Sequence, residues 1–258
     1  MYVFGIDIGS TACKGVVLDD NQKVVAKAII PTGTGTTGPA RLIEEIKNQC
    51  GLSVEDFDKI VATGYGRMNY EAADKQISEL TCHTRGVAYL VPGVRTIIDI
   101  GGQDAKAIKV DAKGRMENFV MNDKCAAGTG RFLDVMANVL ETNIGNLEKL
   151  DAASTEAVSI SSTCTVFAES EVISHLSANK KVEDIIAGIH NSVATRVSSL
   201  AKRVGVVEKV VMVGGVARNG GVVRAMKDAI GVDITVPQDA QLTGAFGAAL
   251  SALDLLNK

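Results

Sequence analysis

The sequence predicts an α/β protein of two related lobes, each with a mixed β-sheet flanked by helices. The first observation is an internal repeat, because Asp7-Ile-Gly-Ser-Thr-Ala-Cys-Lys14 and Asp99-Ile-Gly-Gly-Gln-Asp-Ala-Lys106 share Asp, Ile, Gly and Lys at an offset of 92 residues. The second is the alternation of strand-sized apolar runs with apolar stripes at helical spacing. A duplicated strand-and-turn unit of this kind indicates two similar subdomains in one chain.

The composition is that of a folded globular protein. The chain has 258 residues, of which 46% are hydrophobic and 22% are charged, and this excludes a disordered class. The net charge of -3 gives no support for a nucleic-acid partner. The apolar runs are shorter than the roughly 20 residues of a membrane helix, and the N-terminus lacks a signal-peptide pattern. We expect a cytoplasmic protein that binds neither nucleic acid nor membrane.

Residues 1–92 are expected to form the first lobe, which the C-terminal helix, 239–258, is expected to complete. Its elements are predicted from a meander of apolar strands, from apolar residues at helical spacing and from a Gly/Ala-rich C-terminal run suited to close packing. A capping-box pattern stands at Ser53-Val-Glu-Asp56. The meander, the helix, the next strand and the closing helix correspond to residues 1–30, 42–46, 59–63 and 244–253.

Residues 93–238 are expected to form the second lobe, which begins after the boundary signal Pro92-Gly93. It repeats the strand, glycine-containing turn and strand, and then adds two amphipathic helices and a further strand. The strands are expected at residues 96–98, 107–110, 117–121 and 209–213, and the helical stripes at 132–140 and 186–204.

Three glycine-containing turns follow predicted strands and have the chemistry of a nucleotide site. Backbone N–H groups in such turns can bind phosphate, and glycine lets a flat adenine ring approach the backbone. The third turn, Val213-Gly-Gly-Val-Ala-Arg-Asn-Gly-Gly221, is read as a strand that runs into a glycine turn. None of the turns has the Walker pattern or G-x-G-x-x-G.

Four side chains in the first two turns are candidates for the chemistry of phosphoryl transfer, which needs charge neutralisation and alignment. Asp7 and Asp99 are placed at strand ends to hold Mg²⁺ and to position water, and Gln103 and Asp104 are further catalytic candidates. The candidate ATP contacts are Gly9, Ser10, Thr11, Lys14, Gly101, Gly102, Gln103, Gly214, Gly215, Ala217 and Gln238.

In this order and at these intervals, the three turns resemble the phosphate-1, phosphate-2 and adenosine motifs of the actin, Hsp70 and sugar-kinase ATPase superfamily. The resemblance covers nearly the whole chain and implies a duplicated ribonuclease-H-like fold that binds ATP or ADP with Mg²⁺. Fold leaves the task open, because one fold serves many functions. A sugar or small-metabolite kinase and a non-catalytic ATP-gated scaffold are both compatible with these motifs.

The five cysteines include no Cys-x-x-Cys pair. Their odd number argues against a disulfide framework, and their spacing gives little support for a zinc site within one chain. Cys125 and Cys164 each stand at the expected N-terminus of a helix, Cys164 after Ser162 and Thr163, which are residues of N-cap type. A helix N-terminus lowers the pKa of a thiol and favours a thiolate metal ligand.

The alternative for these two cysteines is that they are small buried apolar side chains, as most free cysteines are. Two thiolates are half of the four that a [4Fe–4S] cluster usually takes, and a two-fold homodimer would double them. Cys13, Cys50 and Cys82 have no partner spacing. We expect Cys82 and His83 to occupy a packed helix position rather than a metal site.

Four segments closely resemble the activators of 2-hydroxyacyl-CoA dehydratases, a branch of the BadF/BadG/BcrA/BcrD ATPase family. These segments are residues 99–104, 125–132, 162–171 and 240–250. The resemblance implies that Cys125 and Cys164 ligate a [4Fe–4S] cluster that bridges a homodimer, and that Gly128 and Gly130 lie beside the nucleotide phosphates.

By the same resemblance, the protein accepts one electron from ferredoxin or flavodoxin and passes it to a dehydratase partner, with ATP hydrolysis driving the transfer. The ATPase component of a benzoyl-CoA reductase shares this cluster chemistry and remains an alternative.

Overall fold

The computed structural model describes residues 1–161 and 164–256, and they divide into two compact units. Unit 1 contains residues 1–94 and 110–116 together with the described residues from Gln241 onward. Unit 2 contains residues 95–109 and the described residues of 117–240. Each unit has one five-stranded mixed sheet with helices packed against it, which confirms the predicted fold class.

The two sheets have one topology, which is the structural counterpart of the sequence repeat. The strands are β1 (Tyr2–Ile8), β2 (Cys13–Asp19), β3 (Val24–Ile30), β4 (Lys59–Thr63), β5 (Lys75–Gln76), β6 (Thr96–Ile100), β7 (Ala105–Val110), β8 (Met116–Asn122), β9 (Val210–Val213) and β10 (Ile234–Thr235). Their order is β3-β2-β1-β4-β5 in unit 1 and β8-β7-β6-β9-β10 in unit 2.

The central strand of each sheet pairs in the same two ways. It is antiparallel to the strand that follows it and parallel to a later one, so β1 pairs with β2 and β4, and β6 pairs with β7 and β9. In this register Asp7 lies opposite Lys14, and Asp99 lies opposite Lys106. The duplicated strand and turn predicted from the sequence is therefore present in both units.

Eight α-helices are found among the described residues. They are α1 (Gly38–Cys50), α2 (Glu79–Leu90), α3 (Gly130–Val139), α4 (Leu147–Asp151), α5 (Thr165–Ser177), α6 (Val182–Val204), α7 (Gly220–Ile230) and α8 (Thr243–Leu256). Of these, α1, α3 and α6 correspond to the apolar stripes predicted at 42–46, 132–140 and 186–204. The predicted capping box joins Ser53 and Asp56 at the start of a short 3₁₀ helix. Among the described residues, no helix combines the length and hydropathy needed to cross a bilayer.

Small residues let α8 pack directly on the backbone of unit 1, as the sequence predicts. A Cβ atom on Gly5 of β1 would overlap the Ala245 carbonyl oxygen and the Ala249 nitrogen of α8. A Cβ on Gly247 of α8 would overlap the carbonyl of Cys82 in α2. The C-terminal helix is therefore part of the core of unit 1.

Candidate functional site

The first phosphate-type turn joins β1 to β2 and holds a buried carboxylate beside a lysine. Asp7 is 1% exposed, and its Oδ2 accepts a hydrogen bond from Lys14 Nζ at 3.1 Å. The amide of Gly9 donates to the Ala12 carbonyl at 3.0 Å and closes the turn. Thr11 at the tip is exposed. The turn therefore combines a buried carboxylate, a half-buried lysine and an exposed threonine, which suits an anionic ligand.

The second phosphate-type turn joins β6 to β7 and repeats this arrangement in unit 2. The amide of Gly101 donates to the Asp104 carbonyl at 2.9 Å, which matches the bond that closes the first turn. Asp99 is 2% exposed. Lys106 is equally buried, and its Nζ lies 2.8 Å from Asp104 Oδ2 and 3.7 Å from Asp99 Oδ2. The side chain of Gln103 is exposed at the tip of the turn.

A glycine with positive φ lies beside each of these aspartates. Gly64 follows β4 with φ 86°, and Gly214 follows β9 with φ 87°. A Cβ on Gly214 would lie 2.6 Å from Asp99 Oδ1, and one on Gly64 would overlap Asp7 Oδ1. Both the backbone conformation and the space therefore require glycine. The sequence placed Gly214 in the site but gave Gly64 no part in it, because a single glycine after a strand indicates only a turn.

The third turn, the adenosine turn (residues 214–219), differs from its sequence prediction. A 3₁₀ helix, Gly215–Arg218, follows Gly214, and α7 begins at Gly220 inside the stretch predicted to be a glycine turn. The helix starts there because the side chain of Asn219 caps it, accepting a hydrogen bond from the Val222 amide at 3.1 Å.

The neighbours of the adenosine turn include the segment that carries Gln238. The amide of Gly214 donates to the Ala240 carbonyl at 2.9 Å and ties the two segments together. Gln238 and Gly215 are exposed, whereas Ala217 is buried. Of the predicted adenosine contacts, Gln238 and Gly215 are thus accessible to a ligand, and Ala217 shapes the turn from within.

Cys125 does not begin a helix, and that prediction is wrong. The residue is half-buried in a loop, and α3 starts only at Gly130 after the N-cap residue Thr129. Asn122 Nδ2 donates to the Cys125 carbonyl at 3.0 Å, and Thr129 Oγ1 donates to the Ala126 carbonyl at 2.5 Å. Bonds at both ends therefore hold the loop from Cys125 to Thr129, which we call the Cys125 loop.

The start of α3 is set by the second phosphate-type turn. The amides of Gly130 and Arg131 donate to the carbonyls of Gly101 at 2.9 Å and Gly102 at 2.8 Å. Unsatisfied N-terminal amides of a helix need such partners, and here the turn provides them. Gly128 has φ 85°, which favours glycine at this point of the loop. The Cys125 loop is thus bonded through α3 to the predicted phosphate site of the same unit.

Cys164 lies directly before α5, as the sequence predicts. It is the N-cap residue in an extended conformation, its side chain is exposed, and its carbonyl accepts from the Ala168 amide at 2.9 Å. The suggested capping role of Ser162 and Thr163 lies outside the described residues. α5 buries Ala168 and Val172 but exposes Val166 and Phe167, at 66% and 68% of their surface.

Three other cysteines are placed as packing residues. Burial, and then the charge of Asp7, raises the pKa of the Cys13 thiol to about 11, and burial likewise raises the pKa of Cys82 to about 11. Both thiols therefore stay protonated near neutral pH and are poor metal ligands. Cys50 is half-buried, and its thiol donates to the Ile46 carbonyl within α1. The reading as buried apolar side chains thus fits Cys13 and Cys82, whereas Cys164 is exposed and Cys125 half-buried.

His83 stands beside Cys82 in a packed part of α2. It is 5% exposed, and its Nδ1 lies 3.0 Å from Thr243 Oγ1 of α8. His83 is therefore packed as expected, and its Nε2 lies 3.7 Å from Oε1 of Glu79 in the same helix.

Comparison with protein-family models matches residues 4–252 to the BadF/BadG/BcrA/BcrD ATPase family. The chain is 64% identical to the 2-hydroxyisocaproyl-CoA dehydratase activator of Clostridioides difficile, over 98% of this chain and 96% of that protein. It is 57% identical to the (R)-2-hydroxyglutaryl-CoA dehydratase activating ATPase of Acidaminococcus fermentans, over 98% and 97% of the two chains. It is 32% identical to one of the subunits of benzoyl-CoA reductase from Thauera aromatica, over 95% of this chain and 91% of that protein.

Solved structures give the same result at the level of the fold. The activator of the 2-hydroxyisocaproyl-CoA dehydratase from Clostridium difficile, with bound ADPNP, superposes with a TM-score of 0.97 at 63% identity, covering 100% of this chain and 96% of that one. A ROK-family glucokinase from Streptomyces griseus superposes with a TM-score of 0.58 at 12% identity, covering 98% and 100%. At that identity the likeness extends to the fold alone, which is the duplicated ATPase fold of sugar kinases.

Proposed function

The chain belongs to the BadF/BadG/BcrA/BcrD ATPase family, and from this premise we propose that it is an ATP-hydrolysing activator of a 2-hydroxyacyl-CoA dehydratase. In this proposal a homodimer carries one [4Fe–4S] cluster, accepts single electrons from ferredoxin or flavodoxin and passes them to the dehydratase. ATP hydrolysis drives the transfer to a more reducing potential. For one electron, each ~60 mV of uphill transfer requires about 1.4 kcal/mol.

The nucleotide part of the proposal is supported by the chemistry of the three turns. Lys14 is half-buried beside Asp7, so its charge lies at the end of the turn where phosphate oxygens would bind. Asp7 and Asp99 are buried carboxylates of the kind that hold Mg²⁺ or its water ligands. We assign the orientation of the attacking water to the exposed amide of Gln103, with Asp104 held in place by Lys106.

The cluster part is supported by the donor set of unit 2. Cys164 is exposed at the N-terminus of α5, where its thiol is accessible to a metal. Cys125 is half-buried in a loop whose backbone is held at both ends. Two such thiols per chain fit a [4Fe–4S] cluster on the axis of a homodimer, because the second copy of the chain supplies the other two ligands. When bound, the cluster would supply a one-electron carrier.

A homodimer also gives the exposed apolar face of α5 a partner. Val166, Phe167 and Ile173 are 66%, 68% and 48% exposed, and they lie on the helix that begins at Cys164. Apolar side chains that cluster at a surface mark an interaction site more often than single ones do. We propose that the second copy of the chain covers this face next to the cluster ligands.

The observation that carries the proposal is the bonding of α3 to the second phosphate-type turn. Because the amides of Gly130 and Arg131 donate to the Gly101 and Gly102 carbonyls, a shift of this turn on ATP binding or phosphate loss would move the start of α3. The Cys125 loop ends at that point. Hydrogen bonding and solvent access are the means by which a protein tunes a cluster potential, and both would respond to such a shift.

The identities favour a dehydratase activator over the alternatives. The relatives named as dehydratase activators are 64% and 57% identical to the chain, whereas the relative from benzoyl-CoA reductase is 32% identical. The similarity to ROK-family kinases is limited to the fold and assigns no phosphate acceptor. A kinase or a scaffold of this fold would also have no use for thiols at Cys125 and Cys164.

The test is the iron and acid-labile sulfide content of anaerobically purified protein, with Cys125→Ser, Cys164→Ser and the control Cys50→Ser. Cys50 is a matched control because it is half-buried but hydrogen-bonded within α1. We expect about four irons per dimer in the unaltered protein and in Cys50→Ser, and loss of iron in the other two variants. If the unaltered protein contained no iron but hydrolysed ATP, the proposal of an iron–sulfur cluster would be refuted.

A further inference from the structure

A row of polar side chains joins α4, α6 and α7 in the interior of unit 2. His190 of α6 is completely buried, with its Nε2 3.2 Å from Asn219 Nδ2 and its Nδ1 3.3 Å from Asp151 Oδ1. Asp151 of α4 is 2% exposed, and both of its oxygens accept hydrogen bonds from the guanidinium of Arg224. The row therefore runs from the guanidinium at the surface to the amide of Asn219.

The cap of α7 fixes the direction of the hydrogen bond between Asn219 and His190. Asn219 Oδ1 accepts from the Val222 amide at 3.1 Å, so the group that meets His190 is the Nδ2 donor. His190 Nε2 is then the acceptor of that bond. His190 Nδ1 lies beside the Asp151 carboxylate without a hydrogen bond to it, and Arg224 is the counter-ion of Asp151.

The first turn of α7 packs closely against this row at Gly221. A Cβ on Gly221 would lie 2.5 Å from His190 Nδ1 and 2.6 Å from Asp151 Oδ2. A residue other than glycine at this position would therefore displace the imidazole or the carboxylate. Gly221, which the sequence suggested as part of a nucleotide turn, is therefore required here by the polar row beneath it.

Asn219 connects the row to the adenosine turn. Asn219 follows the 3₁₀ helix Gly215–Arg218, and its backbone N–H donates to the Val216 carbonyl at 3.0 Å. The side chain of Asn219 is fixed by two bonds, one to the Val222 amide and one to His190. Its position therefore sets where the turn ends. Three of the predicted ATP contacts, Gly214, Gly215 and Ala217, lie within that turn.

We propose that His190 is a positioning residue for the adenosine turn: by accepting from Asn219 and packing its ring against Asp151, it holds that turn in the shape that binds the adenine nucleotide. The inference rests on the proposed nucleotide function. Buried polar networks specify one arrangement of the side chains that they join, and this is the role that we assign to the row. Removing the ring nitrogens should weaken nucleotide binding and raise the KM for ATP, while the rate at saturating ATP changes less.

The experiment measures the ADP dissociation constant by calorimetry, and KM and kcat for ATP, in His190→Phe, His190→Gln and Asn219→Ser. Phenylalanine keeps the ring volume without nitrogen atoms, and glutamine restores an acceptor for the Asn219 amide. Serine keeps a helix cap but is too short to reach His190. The control is Lys227→Met in α7, which removes only a surface ion pair with Asp233, a residue beyond the end of that helix.

We expect about tenfold weaker ADP binding in His190→Phe and Asn219→Ser, partial recovery in His190→Gln and no change in Lys227→Met. Asn219→Ser keeps the proposal testable if His190→Phe does not fold. Unaltered ADP affinity in these variants, with only a lower melting temperature, would overturn this inference alone. If the unaltered protein bound no ADP, the proposed function would fail, and this inference with it.

Discussion

Asp7 and Asp99 occupy equivalent positions in the two units, but their lysines are placed differently. Lys14 is half-buried beside Asp7, whereas Lys106 is buried and lies close to both Asp99 and Asp104. The first turn therefore presents a positive charge near the surface, and the second holds its lysine inside the unit. This difference supports Lys14 as the lysine that binds a phosphate oxygen.

Replacement of Asp7 by asparagine tests the assignment of the first turn. The change keeps the volume and removes the carboxylate that we assign to Mg²⁺ and water, so the ATP hydrolysis rate should fall about 100-fold or more. Steady-state phosphate release measures it. Asp20→Asn, an exposed residue in the turn between β2 and β3, serves as the control. A rate within threefold of the unaltered protein would remove Asp7 from the catalytic set.

Asp151 contributes stability that depends on pH. Burial alone would raise its pKa, but the neighbouring His190 and Arg224 lower the pKa from 3.8 to about 2. Because the carboxyl is more acidic in the folded chain, its contribution of about 2 kcal/mol is complete above pH 4 and disappears as the pH falls towards 2.

This is tested by measuring the urea concentration at the midpoint of unfolding for the unaltered protein and for Asp151→Asn, from pH 7 to pH 3. The variant should be less stable at pH 7, and the difference in unfolding midpoint between it and the unaltered protein should become smaller below pH 4. Asp233→Asn is the control, because that side chain is fully exposed in its ion pair with Lys227. A gap that stays constant down to pH 3 would show that Asp151 stabilises the fold without its charge.

For single residues, the sequence predicted candidate site residues that stand at the end of an apolar strand. It missed residues whose role depends on contacts with distant parts of the chain. Asp7 and Asp99 were identifiable because each ends such a strand before a small-residue turn. Gly64 was not assigned to the site, because its need for glycine comes from the side chain of Asp7 on a neighbouring strand. His190 has no local signature, since its partners come from two other helices.

Among the secondary-structure elements, α8 depends most directly on residue size. In Gly5→Ala the added methyl group would overlap the α8 backbone, which cannot move as a flexible side chain could. Overpacking of this kind typically costs about 1–3 kcal/mol. Urea unfolding measures the loss, with Gly145→Ala as the control, because only the Asn143 side chain lies near that site. Equal stability of the two variants would contradict the close packing of α8.

Helices and strands with a strong periodic pattern of apolar residues were predictable. Helices whose first residue is set by hydrogen bonds to distant parts of the chain were not. The strand at 59–63 and the stripe of α6 follow from local patterns of apolar residues. The start of α3 does not, because its first amides bond to Gly101 and Gly102 rather than to a cap near Cys125. The start of α7 was hidden because glycines that begin a helix resemble glycines that form a turn.

On the scale of the whole molecule, the predicted lobe boundaries and the homodimer remain proposals. The exposed face of α5 gives the homodimer a specific test. Phe167→Asp places a charge on that face, so sedimentation should show more monomer than in the unaltered protein. Met68→Asp, which changes a 70% exposed side chain in unit 1, should leave the dimer intact. An unchanged dimer in Phe167→Asp would place the interface elsewhere.

The central claim is that ATP hydrolysis drives an electron from this protein to a dehydratase. The most direct measurement mixes the anaerobically reduced protein with an oxidised 2-hydroxyacyl-CoA dehydratase and follows reduction of the dehydratase by EPR. The three conditions are ATP, the non-hydrolysable analogue ADPNP and no nucleotide. We predict transfer with ATP and little or none in the other two conditions. Transfer at the same rate without nucleotide, or ATP hydrolysis with no reduction of the dehydratase, would contradict the account.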